Sequence, residues 1–276
     1  MPTWFITGCS TGLGRALADA VLAHGWNAVV TARDPGALAD LVDAHPDTAL
    51  ALPLDVTDAG QVTAAVTAAQ ERFGAIDVLV NNAGYGYRAA LEEGEEADVA
   101  QLFATNVFGP VAVTKAVLPG MRARRSGTIV NVSSIGAQIT PAGSGYYAAV
   151  KAAMEGMSGS LRGELRPLGI SVTVVEPGAF RTDFSGRSLT QASTPIADYA
   201  DTAGKRRKEN DTTHGTQPGD PARAGQAILT AVESAEPPAM LLLGTDALTS
   251  YRAVLTAALA ETEAWEQVST STDFDA

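Results

Sequence analysis

Short apolar runs alternate along the chain with longer stretches in which apolar positions recur every three or four residues. The runs from Trp4 to Thr7, Asn27 to Thr31, Ala49 to Leu54, Val78 to Val80, Thr128 to Val132, Ile170 to Val175 and Met240 to Leu243 have the length and composition of buried strands. The stretches between them have helical periodicity: one runs to about His24, and others cover about Asp58 to Phe73, Ala97 to Arg124, Tyr146 to Arg166, Pro221 to Ser234 and Asp246 to Gln267. Strands alternating with helices predict an α/β fold, a Rossmann-like doubly wound parallel sheet of about seven strands with helices on both faces. Its ligand crevice lies at the carboxyl edge of the strands. The pattern fades only over 183–218, a segment expected to act as a substrate flap within one unit spanning residues 1–276, and the tail from Ser269 reads as loose.

Composition narrows the function classes. Nearly half the residues are apolar, and the net charge of −12 argues against nucleic acid or an anionic membrane as the main partner. No uninterrupted apolar run approaches the roughly 20 residues of a bilayer span. The sole cysteine, Cys9, excludes an internal disulfide and fits a reducing, cytoplasmic setting. His24, His45 and His214 lie far apart without metal-ligand spacing and read as surface or helix-end residues. The run Lys205-Arg206-Arg207-Lys208 reads as a solvated helix face.

Candidate chemistry collects where the predicted strands end. The first strand enters Gly8-Cys9-Ser10-Thr11-Gly12-Leu13-Gly14 and then a helix, an order that sets backbone N–H groups and the helix's positive end against a phosphate. After the second strand, Ala32 stands where an acidic residue would hold a ribose hydroxyl, and Arg33 follows it. This combination favours the 2′-phosphate of NADP(H) over NAD(H), with Asp34 either pairing to Arg33 or capping the next helix. Asp55 and Val56 end the third strand, where Asp55 suits an adenine amino group or a helix cap. Asn81-Asn82-Ala83-Gly84 ends the fourth, a turn able to close over a ribose.

Tyr147 and Lys151 are four residues apart, a spacing that stacks phenol and ammonium on one helix face, whether as an amphipathic surface pair or as a proton donor acidified by a cation. Ser134, thirteen residues before Tyr147, ends a predicted strand where its hydroxyl can meet a substrate oxygen. Asn106 interrupts a predicted helix next to Gly109-Pro110, which marks a surface position or a helix opened for a purpose. Pro177-Gly178 and Thr182 follow the strand that ends at Val175 and Glu176.

Together Thr7-Gly8-x-x-x-Gly12-x-Gly14, Asp55, Asn81-Asn82-Ala83-Gly84, Asn106, Ser134, Tyr147-x-x-x-Lys151, Pro177-Gly178 and Thr182 resemble the short-chain dehydrogenase/reductase family over nearly the whole chain. The resemblance implies a catalytic tetrad of Asn106, Ser134, Tyr147 and Lys151. Tyr147 is the general acid or base, Ser134 holds the substrate oxygen, Lys151 grips the nicotinamide ribose and lowers the Tyr147 pKa, and Asn106 positions a water. It also implies that Gly8, Ser10, Thr11, Gly12, Leu13, Gly14, Asn82, Ala83, Gly84, Pro177, Gly178 and Thr182 line the cofactor, with Val56 beside the adenine. Val150 departs from the Ser common before the lysine. Family habit further implies a homodimer or homotetramer.

The segment Asn82 to Tyr87, with Arg33, is similar to the NADP-linked branch that includes hydroxysteroid and retinol dehydrogenases. Tyr85, Tyr87, Tyr146, Phe180 and Phe184 are either core or the wall of an apolar pocket. The expectation is a carbonyl reductase for a bulky, hydrophobic ketone, aldehyde or alcohol. The alternatives are a non-enzymatic dinucleotide-binding regulator and, in a shorter chain than usual for it, a dehydratase or epimerase.

Overall fold

The computed structural model describes residues 1–186, 188–213 and 215–274. The first half runs β1 (Thr3–Ile6), α1 (Gly12–Ala23), β2 (Asn27–Ala32), α2 (Ala39–Ala44), β3 (Ala49–Pro53), α3 (Ala59–Phe73) and β4 (Val78–Asn81). It continues through β5 (Gly86–Arg88), α4 (Glu96–Phe103), α5 (Gly109–Arg124), β6 (Gly127–Val132), α6 (Gly136–Ile139), α7 (Gly145–Leu165) and β7 (Ile170–Pro177). The chain then forms β8 (Leu189–Gln191), α8 (Ala203–Thr213), α9 (Pro221–Glu233), β9 (Met240–Leu243), α10 (Thr245–Ala264) and α11 (Glu266–Thr270).

Seven strands make one sheet in the order β3-β2-β1-β4-β6-β7-β9, and every neighbouring pair is parallel. The seven apolar runs are these seven strands. They read as nearly continuous apolar sequence because both faces are covered. Along β1, Trp4 and Ile6 join Leu17 and Val21 of α1 and Ile228 and Leu229 of α9 in one core. Phe5 faces the opposite way, into a second core with Val62 and Val66 of α3 and Val113 and Val117 of α5. Full burial of each such side chain stabilises the fold by roughly 1.5–3 kcal/mol. Strand order reverses between β1 and β4, so the loops leaving these two strands part and open a crevice at the carboxyl edge.

Several details differ from the expectations. The helix expected over 97–124 is a rod from Glu96 to Arg124, opened by a π turn over Ala104–Phe108 that contains Asn106. It is 29 residues long and apolar enough by composition to cross a bilayer, against the expectation of no such stretch; here Val113, Val117 and Met121 lie in the second core. Ser269 and Thr270 are still helical, and of the expected loose tail Asp275 and Ala276 lie outside the described residues. His24 and His45 end α1 and α2, and His214 lies outside the described residues.

The segment after β7 is built into the body by bonds that the faded apolar pattern does not announce. β8 pairs with β5 in a separate two-stranded parallel sheet, matching Gly86 to Leu189 and Arg88 to Gln191. Arg207 forms an ion pair with Glu93, their side chains 13% and 0% exposed, so the basic run is not wholly a solvated face. Glu93 also accepts from the backbone N–H groups of Ala90 and Ile196, and the Tyr199 hydroxyl donates to Glu92 at 2.6 Å.

Candidate active site

The turn after β1 is locked to the turn after β4 by side chains whose types this geometry requires. Thr7 Oγ1 accepts from the backbone N–H groups of Asn82 and Ala83, both at 2.9 Å. Asn82 Nδ2 donates in return to the carbonyls of Thr7 and Gly8, at 2.8 and 2.9 Å. Both N–H groups of the Asn82 side chain are therefore spent on the turn. A Cβ at Gly14 would lie 2.3 Å from Asn82 Nδ2 and 2.4 Å from the Gly8 carbonyl, so no side chain fits there. Gly8 has φ +72°, in the left-handed region that favours glycine, and its missing Cβ would lie 2.9 Å from Ala83 Cα.

These turns open into a cavity of about 1320 Å³ that runs along the carboxyl edge of the sheet. Gly8, Ser10, Thr11, Gly12, Leu13, Arg33, Asp55, Val56, Asn82, Ala83, Gly84, Pro177, Gly178 and Thr182 all line it, together with Ser134, Tyr147 and Lys151. Asn106 is buried just behind Gly84, where a Cβ would come within 2.5 Å of its Oδ1. The size exceeds that of an ordinary small-molecule pocket, roughly 300–1,000 Å³, and leaves room for two occupants. A phosphate-tolerant glycine turn at one end and a buried phenol further along suit an elongated dinucleotide with a substrate beside it.

Two ambiguities of the sequence resolve locally. Asp34 accepts from the Gly36 N–H at 2.9 Å and caps the short turn Pro35–Leu38, while Arg33 has no ion pair among the described residues. Asp55 Oδ1 accepts from the N–H and hydroxyl of Thr57, at 2.9 and 2.7 Å, so one of its oxygens serves the turn even as the residue lines the cavity.

Tyr147 is buried in the first turns of α7, beneath Phe184, whose ring is tilted against it at 5.8 Å. Lys151 donates to the Val132 carbonyl at 2.9 Å, and its nitrogen lies 5.8 Å from the centre of the Tyr147 ring. Four-residue spacing thus brings the ammonium to the face of the Tyr147 ring. The acidification expected from Lys151 meets a larger opposing effect, desolvation of the phenol. Burial raises the Tyr147 pKa, and the groups pulling it down are the Ser134 hydroxyl and the Arg88 guanidinium. Burial likewise pushes the Lys151 ammonium down to about 8, against the charge of Glu155. Asn106 Nδ2, in the π turn, donates to the Leu102 carbonyl of α4, leaving its Oδ1 buried and without a partner among the described residues. A buried orphan acceptor at such a place suits an ordered water.

Arg88 was not legible as a site residue, because it sits in the apolar run Tyr87-Arg88-Ala89-Ala90 without any motif spacing. Asp246 was also missed; it accepts from the Ala179 N–H at 2.7 Å and so holds the turn after Pro177 and Gly178. Of the five aromatic residues offered as a pocket wall, Tyr85, Phe180 and Phe184 line the cavity. Tyr87 and Tyr146 instead pack on each other, and the Tyr146 hydroxyl donates to the Leu91 carbonyl at 2.6 Å. Val150 is core. Cys9 is buried and its thiol donates to the Ile6 carbonyl; burial pushes it up to about 12, so it is not a nucleophile at neutral pH.

Behind Lys151 lies a pair of carboxyl groups. Glu155 accepts from Ser133 and from Gln138 Nε2, which also reaches Glu176. Burial and the neighbouring Glu155 charge raise Glu176 to about 7. An acid whose folded pKa is raised binds more protons in the folded state, so its stabilising contribution is lost as pH rises through the folded value. Urea melts should therefore show stability declining between about pH 5 and 8, and Glu176→Gln should flatten that decline. An unchanged slope would remove Glu176 as its source.

A crevice at the strand reversal, a glycine turn that excludes side chains, and a buried tyrosine and lysine with a half-buried serine together define a dinucleotide-dependent oxidoreductase. Residues 2–193 match the short chain dehydrogenase family model, and the chain belongs to that family. It is 39% identical to the oxidoreductase BOA17 of Botryotinia fuckeliana, over 96% of this chain and 97% of that one. It is 37% identical to a 3-ketodihydrosphingosine reductase of Bacteroides thetaiotaomicron, over 84% of each. Among solved structures, a short-chain dehydrogenase of Streptomyces avermitilis superposes with a TM-score of 0.92 at 43% identity, over 99% of this chain and 100% of that one. One from Burkholderia phymatum, in complex with NAD, superposes with a TM-score of 0.80 at 25% identity, over 91% and 92%.

Proposed function

We propose that this protein is an NADP(H)-dependent carbonyl reductase that interconverts a bulky, largely apolar ketone or aldehyde with its alcohol. The observation that carries this reading is a buried phenol, kept protonated by desolvation, opening into the cavity with Ser134 beside it. A protonated phenol is a donor, which suits reduction. The 3-ketodihydrosphingosine reductase among the relatives supports a ketone as the reacting group.

The bound nicotinamide cofactor would supply hydride in reduction and accept it in the reverse direction. Gly8 to Gly14, Asn82 to Gly84, and the Pro177-Gly178 turn with Thr182 would hold it. Tyr147 gives its proton to the carbonyl oxygen as negative charge develops there, and the Ser134 hydroxyl donates to the same oxygen. Lys151, anchored on the Val132 carbonyl, steadies the ribose and the local charge. Asn106 Oδ1 holds a water through which a proton returns to the site. Phe184 shields the phenol from bulk water, and the segment 183–218 serves as the cover of the substrate.

Arg33 carries the choice of cofactor. Its guanidinium borders the cavity while Asp34 is turned away as a cap, an arrangement suited to a 2′-phosphate. Arg33→Ala should weaken NADPH binding by roughly 10- to 100-fold and leave NADH binding almost unchanged, as fluorescence titration would report. Equal loss for both nucleotides would remove Arg33 from this role.

A further inference from the structure

Two arginines with little exposure, Arg88 beside the segment 183–218 and Arg207 within it, are treated differently. Arg207 is matched by Glu93. Arg88, only 7% exposed, has no ion pair among the described residues: its Nη1 donates to the neutral Ser144 hydroxyl, and its buried Nε has no partner among them. Burying a cation without an anion is costly, so a site built this way awaits one. Ser144, which Arg88 holds, directly precedes α7 and stands three residues before Tyr147. Arg88 and Ser144 both line the cavity on the Tyr147 side.

The surroundings strengthen this reading. Arg206 lines the same space, its charge reaches Arg88, and its own Nε is buried without a partner. Glu209, the acid whose charge reaches Arg88, is taken up by Arg206 at 2.5 Å. Asp98 also lines the cavity, where its charge raises the pKa of Tyr85 and Tyr87. A guanidinium offers a fork of N–H groups that carboxylates and phosphates accept, and both arginines line the cavity.

We propose that Arg88, supported by Arg206, forms an oxyanion subsite, so that the preferred substrate is a ketone or alcohol carrying a carboxylate or phosphate group beyond its apolar body. This rests on the reductase reading for the reaction, but the subsite itself can be read without turnover. Calorimetry of the full-length protein, with and without NADPH, would compare 4-phenylbutanoate, 3-phenylpropylphosphonate and neutral 4-phenylbutanamide. The anions should bind roughly 10- to 100-fold more tightly than the amide, and the better of the two identifies the oxyanion class. Arg88→Gln should erase the preference, while Arg206→Gln, at a less buried position on α8, should reduce it several-fold. Equal binding of all three compounds, binding of none, or a preference retained in folded Arg88→Gln would overturn the subsite.

A second arm follows reduction of 4-oxo-4-phenylbutanoate and its methyl ester. The ratio of their kcat/KM values should favour the acid and collapse in Arg88→Gln, whereas equal losses for acid and ester would make Arg88 a general structural or electrostatic support. Anion-selective binding with no reduction of any ketone by either cofactor leaves the subsite standing and refutes the reductase assignment.

Discussion

Tyr147→Phe should lower kcat by roughly 10²- to 10⁴-fold, the span of a positioned general acid, while NADPH still binds. The ring would keep its contact with Phe184 and its place over Lys151, so the change removes one hydroxyl from an otherwise intact core. Because burial raises this phenol, reduction should persist across neutral pH and fail only where the phenol ionises on the alkaline side. Arg88 and Ser134 pull the value down, so Arg88→Gln should move that alkaline limit upward. Turnover that survives in Tyr147→Phe would end the proposed mechanism.

The second large effect should come from the segment that follows β7. Glu93 is a buried carboxylate that Arg207 holds down to about 2, and two backbone N–H groups also donate to it. Removing one member of such a pair leaves an uncompensated charge, so Arg207→Met should destabilise the protein by about 3 kcal/mol. The folded pKa of Glu93 is depressed. Its stabilisation is therefore present above about pH 4.5 and lost as pH falls through about 2. Thermal melts of wild type and variant should differ at neutral pH and converge in acid. A difference that persists undiminished to the acid limit would dissociate it from the ion pair.

Most of the scaffold was legible because its signals are local. Seven apolar runs became seven parallel strands, and the residues ending them converge on one cavity since successive crossovers bring every carboxyl end to the same edge. Asn106 was legible as an irregularity, and the π turn is that irregularity. What escaped depends on distant packing. The three-residue strands β5 and β8 are too short to show a period, and their pairing joins residues about a hundred positions apart. Arg88 and Arg207 look alike in sequence to any surface arginine, and only the fold decides that one is matched and the other is not. The direction of the Tyr147 shift escaped for the same reason: spacing reports that a cation is near, but desolvation depends on how tightly the site closes.

The ion pair between Glu93 and Arg207 has a consequence for recombining relatives. Glu93 falls inside the stretch that matches the family model, residues 2–193, and Arg207 falls beyond it. A chimera that keeps this chain's amino-terminal part and grafts on another carboxyl-terminal part inherits the acid without its cation. Swaps made to alter specificity must carry both partners together, or replace both with apolar side chains of matching volume.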